Sequence, residues 1–286
     1  MQPRQRFYSL DGLRVHALDW GGTGSPIVLL HGLASQARIW DLVAPRLAKR
    51  ARVMAFDQRG HGLTDKPDDG YDFASVTRDL DGFLRVTRLE RSVLAGHSWG
   101  ANVALDYAAR YPDRVAGLVF VDGGFLEIGS RLDWPAAEKR LEPPDLAGMP
   151  LTALDANLRV WLGSVWSDAT AEIVKQNFEQ MPDATIRPHL SKANHMQVVR
   201  ALWEHHPSQL YARIRCPVLM IPAIPPGPHD AMTLALIADK RQAVELAEQR
   251  LARSRTIWMP DTLHDVPLHR PAELGQAMEE FLGEAA

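Results

Sequence analysis

The residues best placed for chemistry lie in Gly96-His97-Ser98-Trp99-Gly100, where one hydroxyl sits between two glycines as an apolar run gives way to a helical pattern. A serine becomes a nucleophile when it occupies a sharp strand-to-helix turn with little bulk beside it, and G-x-S-x-G is the form of that turn. At neutral pH its hydroxyl attacks poorly unless a base takes the proton, so an imidazole near pKa 6.5 must reach its Oγ. Other chemically able side chains follow apolar runs elsewhere: His31 after Pro26–Leu30, Asp122 after Val115–Val121, and His264 after Thr256–Met259.

The surrounding pattern states what must hold these residues. Phe7 to Trp20 reads as a hairpin, with Asp11-Gly12 supplying its positive-φ turn. The run Pro26–His31, bounded by glycines, fits a strand covered on both faces, and Val53–Phe56 fits a second. A helix is expected from about Ile39 to Ala48, and Val76, Leu80, Phe83 and Leu84 recur at helical spacing. Val93-Leu94-Ala95 then leads into the Ser98 turn and a helix that Pro112 ends. After the strand Val115–Val121 the alternation stops, and 125–210 reads as helical and proline-broken, with four of the eight tryptophans. It resumes at Pro217–Ile221, followed by a long helix near Ala231–Ala252, a short strand Thr256–Met259, and a last helix from Pro271. Strands separated by helices imply a mostly parallel sheet flanked by helices, with ligands bound beyond the strands' carboxyl ends. The expected organisation is an α/β core built from 1–124 and 211–286, with a helical cap, 125–210, inserted after the sixth strand.

Composition narrows the function. The 286 residues are 46% hydrophobic and 23% charged, enough for one large α/β domain. A net charge of −3 gives no basic surface of the kind nucleic acid or an anionic membrane requires. The N-terminus lacks a signal-peptide core, and no apolar run approaches the roughly 20 residues of a membrane span. The single cysteine, Cys216, has no partner for an intramolecular disulfide and reads as a small buried residue, so a cytoplasmic location is expected.

Over nearly its whole length the chain resembles the α/β-hydrolase fold family. The resemblance rests on His31-Gly32 after the third strand, Asp57-Gln58-Arg59-Gly60-His61-Gly62 after the fourth, the Ser98 turn after the fifth, and His264 after the last. It implies a serine nucleophile with a histidine base oriented by a carboxylate, in the chain order serine, acid, histidine. His264 is the expected base, with His269 the weaker candidate and His97 a support for the turn. The resemblance also implies an oxyanion hole formed by the backbone N–H groups of Leu33 and Trp99. Asp57 and Arg59 are read as organising the glycine turn. The acid departs from the commoner pattern, an aspartate in a Gly-x-x-Asp turn after the strand that corresponds to Val218–Ile221. Here that turn reads Ala223-Ile224-Pro225-Pro226. Two substitutes keep the order: Asp122, flanked by Gly123-Gly124 at a rigid strand end, and Asp230, at the end of the proline-rich loop. Asp122 is favoured.

Relatives with tryptophan after the nucleophile, such as haloalkane dehalogenases and epoxide hydrolases, use an aspartate, since water must cleave an alkyl-enzyme ester. An alkylated serine is an unreactive ether, so Ser98 points instead to acyl transfer. The expected activity is hydrolysis of a small to medium, largely apolar ester or lactone through an acyl-Ser98 intermediate. A carbon–carbon bond hydrolase, a perhydrolase, or a binding module of the same fold with little turnover stay open. His31, Trp161, Trp166 and Trp203 are candidate substrate contacts, the tryptophans having as their alternative a small core of the cap itself. His195 and His205-His206 lack the converging carboxylates or thiolates of a metal site. No cofactor, metal, nucleic-acid or membrane partner is expected.

Overall fold

The computed structural model describes residues 2–89 and 91–285. Its elements run in the order β1 (Arg4–Leu10), β2 (Leu13–Gly21), β3 (Pro26–Leu30), α1 (Ala44–Leu47), β4 (Arg52–Phe56), α2 (Phe73–Thr87), β5 (Ser92–His97), α3 (Trp99–Arg110) and β6 (Val115–Val121). There follow α4 (Trp134–Leu141), α5 (Leu151–Leu162), α6 (Asp168–Lys175), β7 (Phe178–Gln180), β8 (Ile186–Pro188) and α7 (Lys192–Glu204). The chain closes with β9 (Val218–Ile221), α8 (Ala231–Arg250), β10 (Ser254–Thr256), α9 (Val266–His269) and α10 (Pro271–Ala285).

Eight strands form one sheet in the order β1-β2-β4-β3-β5-β6-β9-β10. The opening hairpin β1–β2 and its junction with β4 are antiparallel, and every later pairing is parallel. Successive side chains on a strand point to opposite faces, and the burial follows that rule on both sides. Val28 and Leu30 join one apolar cluster with α2 and α3, whereas Ile27 and Leu29 join the other with α1 and α10. Covered on both faces, the central strands tolerate an unbroken apolar sequence. The carboxyl ends of β3, β5 and β6 therefore come to one edge, where His31, Ser98 and Asp122 emerge.

Three elements differ from the sequence expectation. The helix expected over 39–48 is a 3-10 turn at Ala37–Trp40 and a separate single turn, α1, with Pro45 in its first turn. Proline has no N–H for a helix interior and suits a helix start, so the segment breaks there. The last strand is assigned to Ser254–Thr256 and not Thr256–Met259. Pairing with β9 does continue, as Ile257 N–H donates to Met220 O, Met259 N–H to Pro222 O, and Ala223 bridges Met259. Pro222 has no N–H to return, which interrupts the ladder at that point. Finally, the segment between β6 and β9 is not wholly helical, because β7 and β8 form a two-stranded antiparallel hairpin within it. Among the described residues no helix is long and apolar enough to cross a membrane.

Candidate active site

Ser98 ends β5 and opens α3 with φ 52° and ψ −120°, backbone that L-residues rarely adopt. Strain of this kind, on the order of 1–3 kcal/mol, persists only where the surroundings impose it. Here they do. A Cβ on Gly100 would stand 2.5 Å from Leu30 O, and one on Gly123 would stand 2.2 Å from Ser98 O. The turn is thus wedged between the ends of β3 and β6, and only glycine admits that approach.

The Ser98 Oγ lies 3.0 Å from His264 Nε2, and His264 Nδ1 lies 2.6 Å from Asp122 Oδ2. With the ring neutral, Nδ1–H donates to Asp122 and Nε2 accepts the Ser98 hydroxyl. The His264 loop is held from several directions. His97 Nε2–H donates to His264 O at 2.9 Å, Leu263 N–H donates to His269 Nδ1 at 2.7 Å, and Thr262 N–H donates to Ile224 O at 2.7 Å. His97 thus supports His264 through its backbone, and His269, the weaker candidate for the base, pins the loop instead.

Asp122 has φ 46°, a left-handed geometry that aspartate tolerates better than most residues. Its Oδ1 accepts from Ala223 N–H at 2.9 Å and from Lys240 Nζ at 2.7 Å, leaving Oδ2 for His264. Burial opposes its charge, yet the His264 hydrogen bond, the His264 charge and Lys240 overcome that, and the carboxyl is held down at about 2. Desolvation in the cleft likewise opposes protonation of His264, but the hydrogen bond and charge of Asp122, with Asp265, outweigh it and raise the ring above its ordinary value. Its side chain keeps 56% of its exposure, so the base faces an open cleft. His97, buried beside His264, is pushed down to about 4 by burial first and by the neighbouring ring second.

The loop after β3 is braced by histidines. His31 Nδ1–H donates to Gly32 O at 2.8 Å and Nε2 accepts Gln58 N–H at 3.0 Å, while burial lowers its pKa and favours this neutral ring. Ala34 N–H donates to His61 Nε2 at 3.2 Å. Among the described residues the Leu33 and Trp99 N–H groups have no hydrogen-bond acceptor; Trp99 follows Ser98 directly, and Gly32, before Leu33, packs against it, an added Cβ there standing 3.1 Å from Ser98 Cβ. Asp57 accepts from His16 Nδ1, Ala37 N–H and Leu63 N–H, and Arg59 grips Asp79 through two hydrogen bonds, so both organise the turn.

Several sequence candidates lie elsewhere. Asp230 is fully exposed to solvent and caps α8 by accepting Thr233 N–H at 2.7 Å, so the alternative acid does not meet His264. His31 is fully buried and has both ring nitrogens engaged, which corrects its reading as a substrate contact. The three tryptophans make contacts of their own. Trp161 is exposed on α5, Trp166 lies under the Arg159 guanidinium, and Trp203 donates to Leu132 O and packs edge-on against Trp134. A cavity of about 680 Å³ has a different lining, running from Ala34 past Lys66 to the β7–β8 hairpin and the start of α7. Its titratable lining is Lys66, Asp145, Glu179, Arg187, His189, Lys192 and His195, with Arg187 paired to Glu179 and Lys192 to Glu142, and neither Ser98 nor His264 is among the lining residues. His195 donates to or accepts from no carboxylate there; its Nε2–H goes to Leu141 O. Among the described residues no three His, Cys, Asp or Glu side chains are grouped to hold a metal ion.

Lys240 escaped the sequence reading. In α8 it sits at helical spacing within a stripe of Ile237, Ala243, Val244 and Ala247, all buried, and a lone lysine in such a stripe is the signal that marks a buried charge in need of a partner.

Residues 25–173 match the family described as alpha/beta hydrolase fold. The chain belongs to the α/β-hydrolase fold family. It is 31% identical over 181 residues to the 2-(acetamidomethylene)succinate hydrolase of Mesorhizobium japonicum, covering 63% of this chain and 64% of that one. The solved structure of E-2-(acetamidomethylene)succinate hydrolase superposes with a TM-score of 0.79 at 25% identity, over 98% of this chain and 99% of that one. A haloalkane dehalogenase of Mesorhizobium japonicum is 36% identical over 102 residues, which is 36% of this chain and 33% of the dehalogenase. The aligned stretches therefore span under two thirds of these curated relatives. The relatives matched in this way also include an epoxide hydrolase of Mycobacterium tuberculosis and a cis-3-alkyl-4-alkyloxetan-2-one decarboxylase of Shewanella oneidensis, so they cover several reaction types.

Proposed function

We propose that the protein is a cofactor-independent serine hydrolase that cleaves a small to medium carboxylic ester or lactone through an acyl-Ser98 intermediate. The observation that carries this reading is the continuous hydrogen-bonded line from Ser98 Oγ through His264 to Asp122. In the forward step Ser98 Oγ attacks the carbonyl carbon while His264 Nε2 takes its proton, and Asp122 stabilises the imidazolium that forms. The charge that develops on the carbonyl oxygen is met by the Leu33 and Trp99 N–H groups, of which one such donor is worth about 3 kcal/mol in comparable sites. His264 then gives the proton to the leaving oxygen, and a water activated by the same ring cleaves the acyl-serine. The dehalogenase-like stretch does not extend this reading to alkyl halides, because an alkylated Ser98 has no carbonyl for water to attack. In this reading 125–210 is the cap over a core of 1–124 and 211–286, and the cavity that Ala34 and Lys66 of the core form with cap residues takes the part of the substrate that leads away from Ser98.

A second reading concerns the substrate, and one basic side chain on the cavity wall, Lys66, favours it, since Arg187 is paired with Glu179 and Lys192 with Glu142. Lys66 Nζ donates to the Gly62 and Thr64 carbonyls at 2.9 and 3.1 Å, which holds its charge at the cavity wall beside Arg187 and His189. A lysine with no carboxylate partner among the described residues suits an acyl compound that also carries a carboxylate, and the chain's similarity to a succinate-derivative hydrolase supports the same class. Turnover of matched pairs, a neutral ester and its half-acid counterpart, together with lactones and N-acyl amides, tests both readings. Hydrolysis above the level of Ser98→Ala supports the serine hydrolase, and a preference for the acid member that Lys66→Met abolishes supports the anionic class. No turnover beyond Ser98→Ala across the panel overturns the first reading, and equal rates for both members of each pair overturn the second.

A further inference from the structure

Lys240 is a buried charge in direct contact with the line of Ser98, His264 and Asp122, and the steps above give it no role. Lys240 comes from α8, which the sequence separates from β6 by more than a hundred residues, and its side chain keeps 9% of its exposure. Its Nζ donates to Asp122 Oδ1 at 2.7 Å and to Ala223 O at 2.7 Å. Ala223 N–H donates to the same Oδ1 at 2.9 Å. The ammonium and one peptide unit thus close around a single carboxylate oxygen. Ala223 belongs to the turn after β9, where many relatives place the acid; here that turn supplies a peptide that holds an acid arriving from β6.

We propose that Lys240 is a positioning residue for the triad, locking the Asp122 carboxylate so that Oδ2 faces His264 and moderating the negative field that this carboxylate exerts on the ring. The proposal rests on the serine-hydrolase reading. A carboxylate turned about its terminal torsion has two near-equivalent oxygens, and that torsion is broad and roughly two-fold. Two donors fixed on Oδ1 remove the freedom. A buried lysine that served stability alone would often be replaceable by an apolar side chain at little cost, because desolvation offsets much of the ion pair. Its placement against the one oxygen that does not touch His264 is what assigns it to the site.

The groups that face His264 are Asp122 from the end of β6, Asp265 on its own loop, His97 from β5 and, behind Asp122, Lys240 from α8. Asp122 and Asp265 favour the imidazolium and Lys240 opposes it. Lys240 Nζ is one carboxylate away from the ring, 2.7 Å from Oδ1 while His264 Nδ1 is 2.6 Å from Oδ2, close enough at an effective dielectric constant near 20–40 for its removal to shift the ring by roughly one pH unit. The sign follows: without Lys240 the ring holds its proton to higher pH, so the neutral base appears later on a rising pH scale.

The test is the pH dependence of Ser98 modification by a fluorophosphonate in the full chain, run on the native protein and on Lys240→Met, Lys240→Gln and Lys240→Arg, with thermal unfolding of each. For Lys240→Met the acid limb is expected to move up by roughly one pH unit and the plateau rate to fall about tenfold. Lys240→Arg, which keeps charge and donors, should restore the limb and most of the plateau. Lys240→Gln keeps a polar group in the buried site and should show the shifted limb even if the Met variant does not fold. A limb and plateau unchanged in a folded Met or Gln variant overturn the proposal, as does a fall in melting temperature without movement of the limb. Failure of the native protein to react refutes the serine-hydrolase reading itself, a result distinct from either.

Discussion

Replacing Asp122 by asparagine probes the site with almost no change of shape. In the native protein Oδ1 has two donors, Ala223 N–H at 2.9 Å and Lys240 Nζ at 2.7 Å, and Oδ2 receives His264 Nδ1–H at 2.6 Å. The amide oxygen of Asn must take the Oδ1 position, since a nitrogen there would face two donors. The amide NH2 then faces His264 Nδ1. Two N–H groups cannot meet at that distance, so the ring takes the other tautomer, with its proton on Nε2 and its acceptor toward the amide. Ser98 loses the nitrogen that would take its proton. Losses in comparable triads are on the order of 10³–10⁴ in kcat, which corresponds to about 4–5.5 kcal/mol of transition-state stabilisation. The substitution also leaves Lys240 buried without its counter-charge, a change that destabilises by roughly 3–5 kcal/mol in comparable buried pairs. Steady-state turnover of an activated ester should therefore be measured well below the variant's own unfolding temperature, beside Asp230→Asn. The latter keeps a good helix cap, since Asn and Asp cap about equally well, and should remain within about twofold of native. A folded Asp122→Asn that keeps more than about a tenth of native kcat would refute the assignment, as would a large loss in Asp230→Asn.

Because Asp122 raises the pKa of His264, turnover should fall as pH drops, with its midpoint above the ordinary histidine value near 6.5; a pH–rate profile checks this. The same shift acts on stability in the opposite sense: the increment is fully present below the unfolded-state value and is lost as pH rises through the raised one, readable as a pH-dependent unfolding midpoint. Gly123→Ala would put a methyl 2.2 Å from Ser98 O and displace the turn, so kcat should drop by about 10² or more, since misplacement by an ångström costs that much. Trp161→Ala, on an exposed face of α5, should leave kcat/KM within about twofold, surface changes of this kind being close to neutral. A large rise in KM would return Trp161 to the substrate path.

Much of this architecture is legible from residues because local and global signals coincide. The unbroken apolar runs at 26–30, 93–95 and 115–121 leave little alternative to strands buried on both faces, and the glycines around Ser98 mark a turn under compression. The absent Gly-x-x-Asp pattern at Ala223 directs attention to Asp122, where the strand end, the flanking glycines and the required chain order converge. Other features depend on contacts that sequence patterns do not encode. Whether Trp161, Trp166 and Trp203 face a substrate or one another is decided by how short helices fold against each other, since aromatic side chains serve both ends equally. The β7–β8 hairpin is three residues a side, too short for alternation to stand out. The broken strand at β10 follows from Pro222, whose missing N–H is visible in sequence only once its partner is known. Lys240 is the instructive omission, for its place within an apolar helical stripe is readable while its partner, 118 positions earlier, is not.

The central claim, that Ser98 is an activated nucleophile, is tested most directly by intact-mass and peptide-level mass spectrometry after exposure of the native protein to a fluorophosphonate. The expected result is one stoichiometric adduct on the peptide containing Ser98, absent from Ser98→Ala and strongly slowed in a folded Asp122→Asn. A correctly folded protein that gains no mass, or that carries the adduct on another residue, would contradict it.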